Sequence, residues 1–152
     1  YIHKRNVIVW KNIPSVPGKI VAIALKDGKE VARHQLETTG KAVALKLEIE
    51  NKNWKADGMD LQYVKVYAVD SKGRYVYTAD PAEVTFDVSG AARLIAVDNG
   101  DQYSDELFDG NKRKLHNGFA MAILRSTQSS GNVILKASAD GLKSAAVKLV
   151  TK

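Results

Sequence analysis

The chain has 152 residues, 45% hydrophobic and 26% charged, a balance that fits a folded globular protein and excludes a fibrous or disordered polymer. It contains no cysteine, which excludes disulfides, thiolate nucleophiles and cysteine-ligated zinc together. A formal charge of +6 raises nucleic-acid binding. Apart from Lys112, Arg113 and Lys114, however, the cations are scattered singly among apolar residues, the pattern of a solvated sheet face, so no nucleic-acid partner is expected.

No apolar run approaches the ~18 to 20 residues of a membrane helix, and no membrane span is expected. The first residues, YIHKRNVIVW, lack the pattern of a secretory signal and an initiator methionine, and are expected to lie within a longer polypeptide. Residues 6–10, 19–25 and 30–36 read as strands. They are separated by the Ile13-Pro14-Ser15-Val16-Pro17-Gly18 bend and the tight Lys26-Asp27-Gly28-Lys29 turn. Trp10, ending the first of these just before a bend, is expected in a core. Three strands make too little core for independence. Residues 1–40, ending in the linker Thr38-Thr39-Gly40, therefore read as the C-terminal part of a truncated immunoglobulin-like domain. Their unpaired edges would favour self-association.

From residue 41 to 152 the pattern is that of a complete sandwich. Over 42–50, Val43, Leu45, Leu47 and Ile49 alternate with Ala44, Lys46, Glu48 and Glu50. Val64, Val66 and Ala68 then alternate with Tyr63, Lys65 and Tyr67, and Val84, Phe86 and Val88 with Thr85 and Asp87. Further on, Val133, Leu135 and Ala137 alternate with Ile134, Lys136 and Ser138, and Ala145, Val147 and Leu149 close the chain. Asp70-Ser71-Lys72-Gly73, Ser89-Gly90, Ser130-Gly131-Asn132 and Asp140-Gly141 supply turns between them. No window carries a helical apolar stripe. The fold class is all-β, an immunoglobulin-like antiparallel β-sandwich.

Residues 91–127 break this rhythm. Two apolar flanks, 94–97 and 119–124, enclose a long polar segment containing Asn99-Gly100, Gly110-Asn111 and Asn117-Gly118. Polar segments of this length inside a domain are functional or disordered. Its acidic series, Asp98, Asp101, Asp105, Glu106 and Asp109, has the oxygen chemistry of a calcium loop but not the spacing of an EF-hand. Solvation and local ion pairs to Lys112, Arg113 and Lys114 account for it instead, and no metal or cofactor is expected. His3, His34 and His116 stand apart, without neighbours at zinc-ligand spacing. Ser104, His116 and Asp98 supply the residue types of a hydrolase triad without its Gly-x-Ser-x-Gly elbow. Among the aromatics Trp54, Tyr63, Tyr67, Tyr75, Tyr77 and Tyr103, some are expected to face outward. Trp54 and Tyr103 are the candidate carbohydrate contacts, against a reading of cross-strand pairing or domain packing.

Several stretches carry a resemblance: VPGKIVAIALKDGKEVARHQLETTGKAVAL, ADGMDLQYVKVYAVDSKGRYV, RLIAVDNGDQ, NKRKLHNGFAMAILRST and ASADGLKSAAVKL. Together they resemble the C-terminal end of glycoside hydrolase family 2 enzymes of the β-galactosidase type, from Bacteroides-like bacteria. The resemblance implies a periplasmic or secreted parent enzyme, hydrolysing glycosidic bonds in carbohydrate metabolism with two glutamates on an upstream barrel. No catalytic residue carries over to this chain, which alone is expected to be inert. The carboxylates of this chain agree with that. Retaining glycosidases hold two carboxyl groups about 5 to 5.5 Å apart, and nothing marks a pair among Glu30, Glu37, Glu48, Glu50, Glu83 and Glu106. The expected role is structural, with the upstream catalytic domain of the same polypeptide as partner. Asp98, Asn99, Asp101, Asn111, Lys112, Arg113 and His116 would form a domain-contact loop. A carbohydrate-binding module and an adhesin-type immunoglobulin-like repeat are the alternatives.

Overall fold

The computed structural model describes residues 7–14, 16–79 and 81–152. His3, Ser15 and the start of the expected strand at Asn6 lie outside them. The chain divides into two compact units, Tyr1–Thr38 and Thr39–Lys152.

The first unit contains a β-hairpin, β1 (Lys19–Lys26) and β2 (Lys29–Glu37). Its turn residues Asp27 and Gly28 have φ of 50° and 75°. Two successive positive φ values match the right-handed twist of a two-residue hairpin, which is why Asp-Gly stands here. At the open end the Gly18 amide donates to Thr38 Oγ1 and the Thr38 amide to the Gly18 carbonyl. The strand expected at 6–10 is not formed over its described residues. Trp10 is 61% exposed rather than in a core. A short apolar run becomes a strand only where a neighbour pairs its backbone, and residues 7–10 have no such neighbour among the described residues.

The second unit is a sandwich. Its strands are β3 (Ala44–Ile49), β4 (Leu61–Val69), β5 (Glu83–Gly90), β6 (Ala92–Asp98), β7 (Lys112–Lys114), β8 (Phe119–Ser126), β9 (Gly131–Ala139) and β10 (Leu142–Thr151). One layer has the order β6-β8-β4-β3 and the other β10-β9-β5-β7. This is the strand order of a constant-type immunoglobulin domain, with β7 added at one edge. Pairing is antiparallel except where β3 meets β10. There the layers are joined by a parallel bridge, Ala44 to Lys143, with the Lys143 amide donating to the Val43 carbonyl. The first and last strands run in the same direction, so their contact is parallel and the unit is not purely antiparallel.

Alternation places the core as the sequence requires. Val64, Val66, Ala68, Val84, Phe86, Val133, Leu135 and Ala137 from facing layers are all buried, together with Leu124 of β8. At about 25 cal/mol per Å² of apolar surface, these interdigitated side chains are the main stabilising term. Val43 and Ile49 depart from the expected inward face and are 45% and 37% exposed, because they flank or end β3 where the opposing layer no longer covers them. Between β5 and β6 only Ala91 intervenes, although the strands belong to different layers. That crossing depends on Gly90, whose φ is +96°. A Cβ there would lie 2.0 Å from the Asn132 carbonyl oxygen.

Trp54 belongs to this core. It is 2% exposed, and its indole N–H donates to the Asp60 carbonyl at 3.0 Å. The surrounding backbone is stitched to the C-terminus: the Ala56 amide donates to the Lys152 carbonyl, and the Lys152 amide to the Trp54 carbonyl. The expected outward stacking face of Trp54 is therefore absent.

Candidate functional site

Residues 99–118 leave the edge of one layer at β6, cross to the edge of the other and return at β8. On the way, the Phe108 carbonyl accepts the Val97 amide of β6, and β7 pairs with β5 through Val84 and Arg113. The loop thereby makes one backbone contact on the β6 edge and adds a short strand, β7, beyond β5. Asn111 fixes the crossing reciprocally, since its carbonyl accepts the Phe86 amide while its side chain donates to the Phe86 carbonyl.

Arg113 is the centre of the excursion. It lies on the inward face of β7 and is 1% exposed. A buried guanidinium is stable only when its fork is met by acceptors. Here Nη1 donates to the Glu106 carbonyl at 2.8 Å and Nη2 to Asn99 Oδ1 at 3.0 Å. Asp98 Oδ1 and Glu106 Oε2 each lie 3.8 Å from the guanidinium, and the Phe108 ring sits 5.2 Å from Cζ. Asn99 is buried as well. Its side-chain Nδ2 donates to the Lys114 carbonyl while its Oδ1 also accepts from the Asp101 amide. Lys112 turns outward to Glu83 at 2.8 Å, and His116 Nδ1 lies 3.6 Å from Asp101 Oδ2.

Of the residues expected to form a contact surface, Asn99 and Arg113 are buried and hold the loop's own shape, whereas Asn111 and Lys112 are exposed. Among exposed polar residues such as Gln102, Asp105 and Asp109, the loop also presents large apolar side chains: Tyr103 is 97% exposed, Leu107 76% and Phe108 60%. Sequence reading found Tyr103 but missed Leu107 and Phe108. The available signal was an adjacent apolar pair inside an otherwise polar segment.

Other chemistry expected or weighed from the sequence is not assembled here. Ser104 donates to Glu106, Asp98 accepts the amides of Asn99 and Gly100, and His116 faces Asp101, so the three triad residue types do not converge. The six glutamates are each set against a cation: Glu30 by Arg33, Glu37 by Lys19, Glu48 by Lys46, Glu50 by Lys65, Glu83 by Lys112 and Glu106 by Arg113. Among the described residues no group of three or more His, Asp or Glu is placed to hold a metal ion.

One carboxylate has a marked structural role. Asp70, 3% exposed, accepts from the Arg74 guanidinium at 2.6 Å and from the amides of Gly40, Lys72 and Arg74. The Arg74 guanidinium first, and the Gly40 amide next, hold its carboxyl well below the usual carboxylate range.

Comparison with known proteins adds to this geometry. Residues 45–148 match glycoside hydrolase family 2 C-terminal domain 5. A β-galactosidase from Bacteroides ovatus is 33% identical over 142 residues, which are 93% of this chain and 16% of that protein. A β-glucuronidase from Formosa agariphila is 31% identical over 153 residues, 98% of this chain and 15% of that one. A glycosyl hydrolase family 2 member from Bacteroides cellulosilyticus superposes with a TM-score of 0.84 at 33% identity, covering 98% of this chain and 20% of that structure. The chain therefore spans about a sixth of the length of these curated relatives.

Proposed function

Because the chain belongs to the C-terminal domain 5 family of glycoside hydrolase family 2, we propose that it is a non-catalytic accessory region of a larger family 2 glycosidase, of the β-galactosidase or β-glucuronidase kind. Its task is to dock against the rest of that polypeptide. One observation carries this reading: a loop locked from within by Arg113 presents Tyr103, Leu107 and Phe108 to the outside. A rigid frame that exposes large apolar side chains is suited to burying them against another surface at low entropic cost. The hairpin β1–β2 is a second such surface, with Ile20, Ile23, Leu25, Val31 and Leu36 exposed.

Two measurements test this. The purified chain is expected to leave a nitrophenyl β-galactoside unhydrolysed, and turnover would overturn the non-catalytic reading. In the longer enzyme, Tyr103→Lys with Leu107→Lys is expected to lower the melting temperature and the activity while leaving the melting of the isolated chain unchanged. An enzyme indifferent to both substitutions would overturn the docking reading.

A further inference from the structure

A second surface lies on the outer face of the β4 layer. Tyr67 on β4 stands beside Lys46 on the neighbouring β3. Beyond β4 the chain turns at Asp70 and comes back so that Tyr75 bridges to Val69. This return sets the Tyr75 ring 4.9 Å from Tyr67 in an edge contact and 4.0 Å from Tyr77. Phe119 backs Tyr67 at 5.6 Å. On β3, Lys46 Nζ meets Glu48 Oε1 at 2.8 Å. The three tyrosines and this pair line an open groove of about 310 Å³.

We propose that this groove, lined by Tyr67, Tyr75 and Tyr77 together with Lys46 and Glu48, binds the pyranose ring of a neutral oligosaccharide. Aromatic faces accept the C–H face of a sugar ring, and the neighbouring phenol hydroxyls keep a polar edge within reach. Sugar hydroxyls both donate and accept, and the ammonium and carboxylate offer a donor and an acceptor side by side. The volume lies at the small end of ligand sites, which suits one or two rings. A protein-docking patch of this size has a core depleted in charge, whereas here the ion pair forms a wall of the groove.

The site is also built in advance. The Tyr75 hydroxyl donates to the Asn117 carbonyl, and Asp70 fastens the turn that delivers Tyr75 and Tyr77 by accepting the amides of Lys72 and Arg74. Tyr77, 65% exposed, is the ring left open to a ligand. Rigid aromatic walls lose little freedom on binding.

The test is titration of the isotopically labelled chain with β-1,4-linked galactotetraose and with cellotetraose, followed by NMR. At least one is expected to shift the signals of Lys46, Glu48, Tyr75 and Tyr77 saturably. Tyr77→Ala should weaken that binding by about tenfold, equivalent to about 1.4 kcal/mol. Glu48→Gln, an isosteric surface change, should also weaken it, and Tyr103→Ala should not. Absence of shifts with both sugars, shifts confined to the excursion around Tyr103, or unchanged affinity in Tyr77→Ala would each overturn the proposal. The assay uses the chain alone, so its failure is distinct from failure of the docking reading.

Discussion

The guanidinium of Arg113 donates to the side-chain oxygen of Asn99 at 3.0 Å, tying the inward face of β7 to the first residue after β6. Both residues are buried, so this bond connects the two ends of the crossing from inside. Replacing Arg113 with Met keeps much of the apolar stem but leaves Asp98 and Glu106 without their common cation. Removing one partner of a buried charge group costs about 3 kcal/mol. Urea denaturation of Arg113→Met should show a loss of this size. Hydrogen exchange should accelerate first at residues 99–111, because local opening precedes global unfolding where the locking contact is lost. An unchanged exchange pattern there would mean that the loop is held by Asn111 and Phe108 alone.

Gly90 and Gly141 separate two causes of glycine dependence. Both have positive φ, +96° and +73°, but a Cβ at Gly90 meets the Asn132 oxygen at 2.0 Å whereas one at Gly141 meets nothing within 4 Å. Gly141→Ala is expected to cost about 1 kcal/mol from backbone strain. Gly90→Ala adds a clash against backbone at the crossing between layers and should cost at least about 3 kcal/mol. Equal losses in thermal melts of the two variants would show that the β5–β6 crossing relaxes freely.

Asp70 makes stability depend on pH in a defined direction. Its carboxyl is held in the folded state below that of an ordinary aspartate, by the Arg74 guanidinium first and the Gly40 amide next. The unfolded chain therefore binds the proton more readily. The stabilisation is fully present above the unfolded value and is lost as pH falls below about 4 toward the folded one. Asp70→Asn should accordingly melt lower than the unsubstituted chain at pH 7, with the gap shrinking through pH 4 and below. A gap that widens on acidification would contradict the assignment.

The strands were readable where side chains alternate and hydrogen-bonding partners follow directly, as in β4, β5 and β9. Period two reports a half-buried face whatever the partner. The hairpin turn at Asp27-Gly28 was readable for a similar reason, since the turn's demand for positive φ is local. What could not be read depends on residues distant in sequence. The core position of Trp54 comes from pairing with Lys152 at the far end of the chain, and the exposure of Trp10 from the lack of a paired neighbour among the described residues. The excursion is legible as a long polar segment, but which of its residues turn inward is not. Polar Asn99 and Arg113 are buried by their mutual bond, and apolar Leu107 and Phe108 are left outside. Composition alone carries no sign of that inversion, because a buried polar group is stable only through a partner that pattern does not reveal.

Trp54 gives the sharpest contrast between the sequence and the fold. The surrounding stretch, NKNWKADGMD, is polar on both sides, and a lone tryptophan in such a setting reads as an exposed platform. In the structure its ring fills the core, and its N–H is bonded to the Asp60 carbonyl. Trp54→Ala removes that packing and leaves the Asp60 acceptor without the indole donor, so it should cost about 3 to 5 kcal/mol. Trp54→Phe restores most of the volume but not the donor, and should fall between. Tyr103→Ala, at a 97% exposed position, should change stability by no more than about 0.5 kcal/mol. Denaturant midpoints of the three variants check this order. Should Trp54→Ala melt like the unsubstituted chain while Tyr103→Ala collapses, the assignment of inside and outside in this part of the sandwich would have to be exchanged.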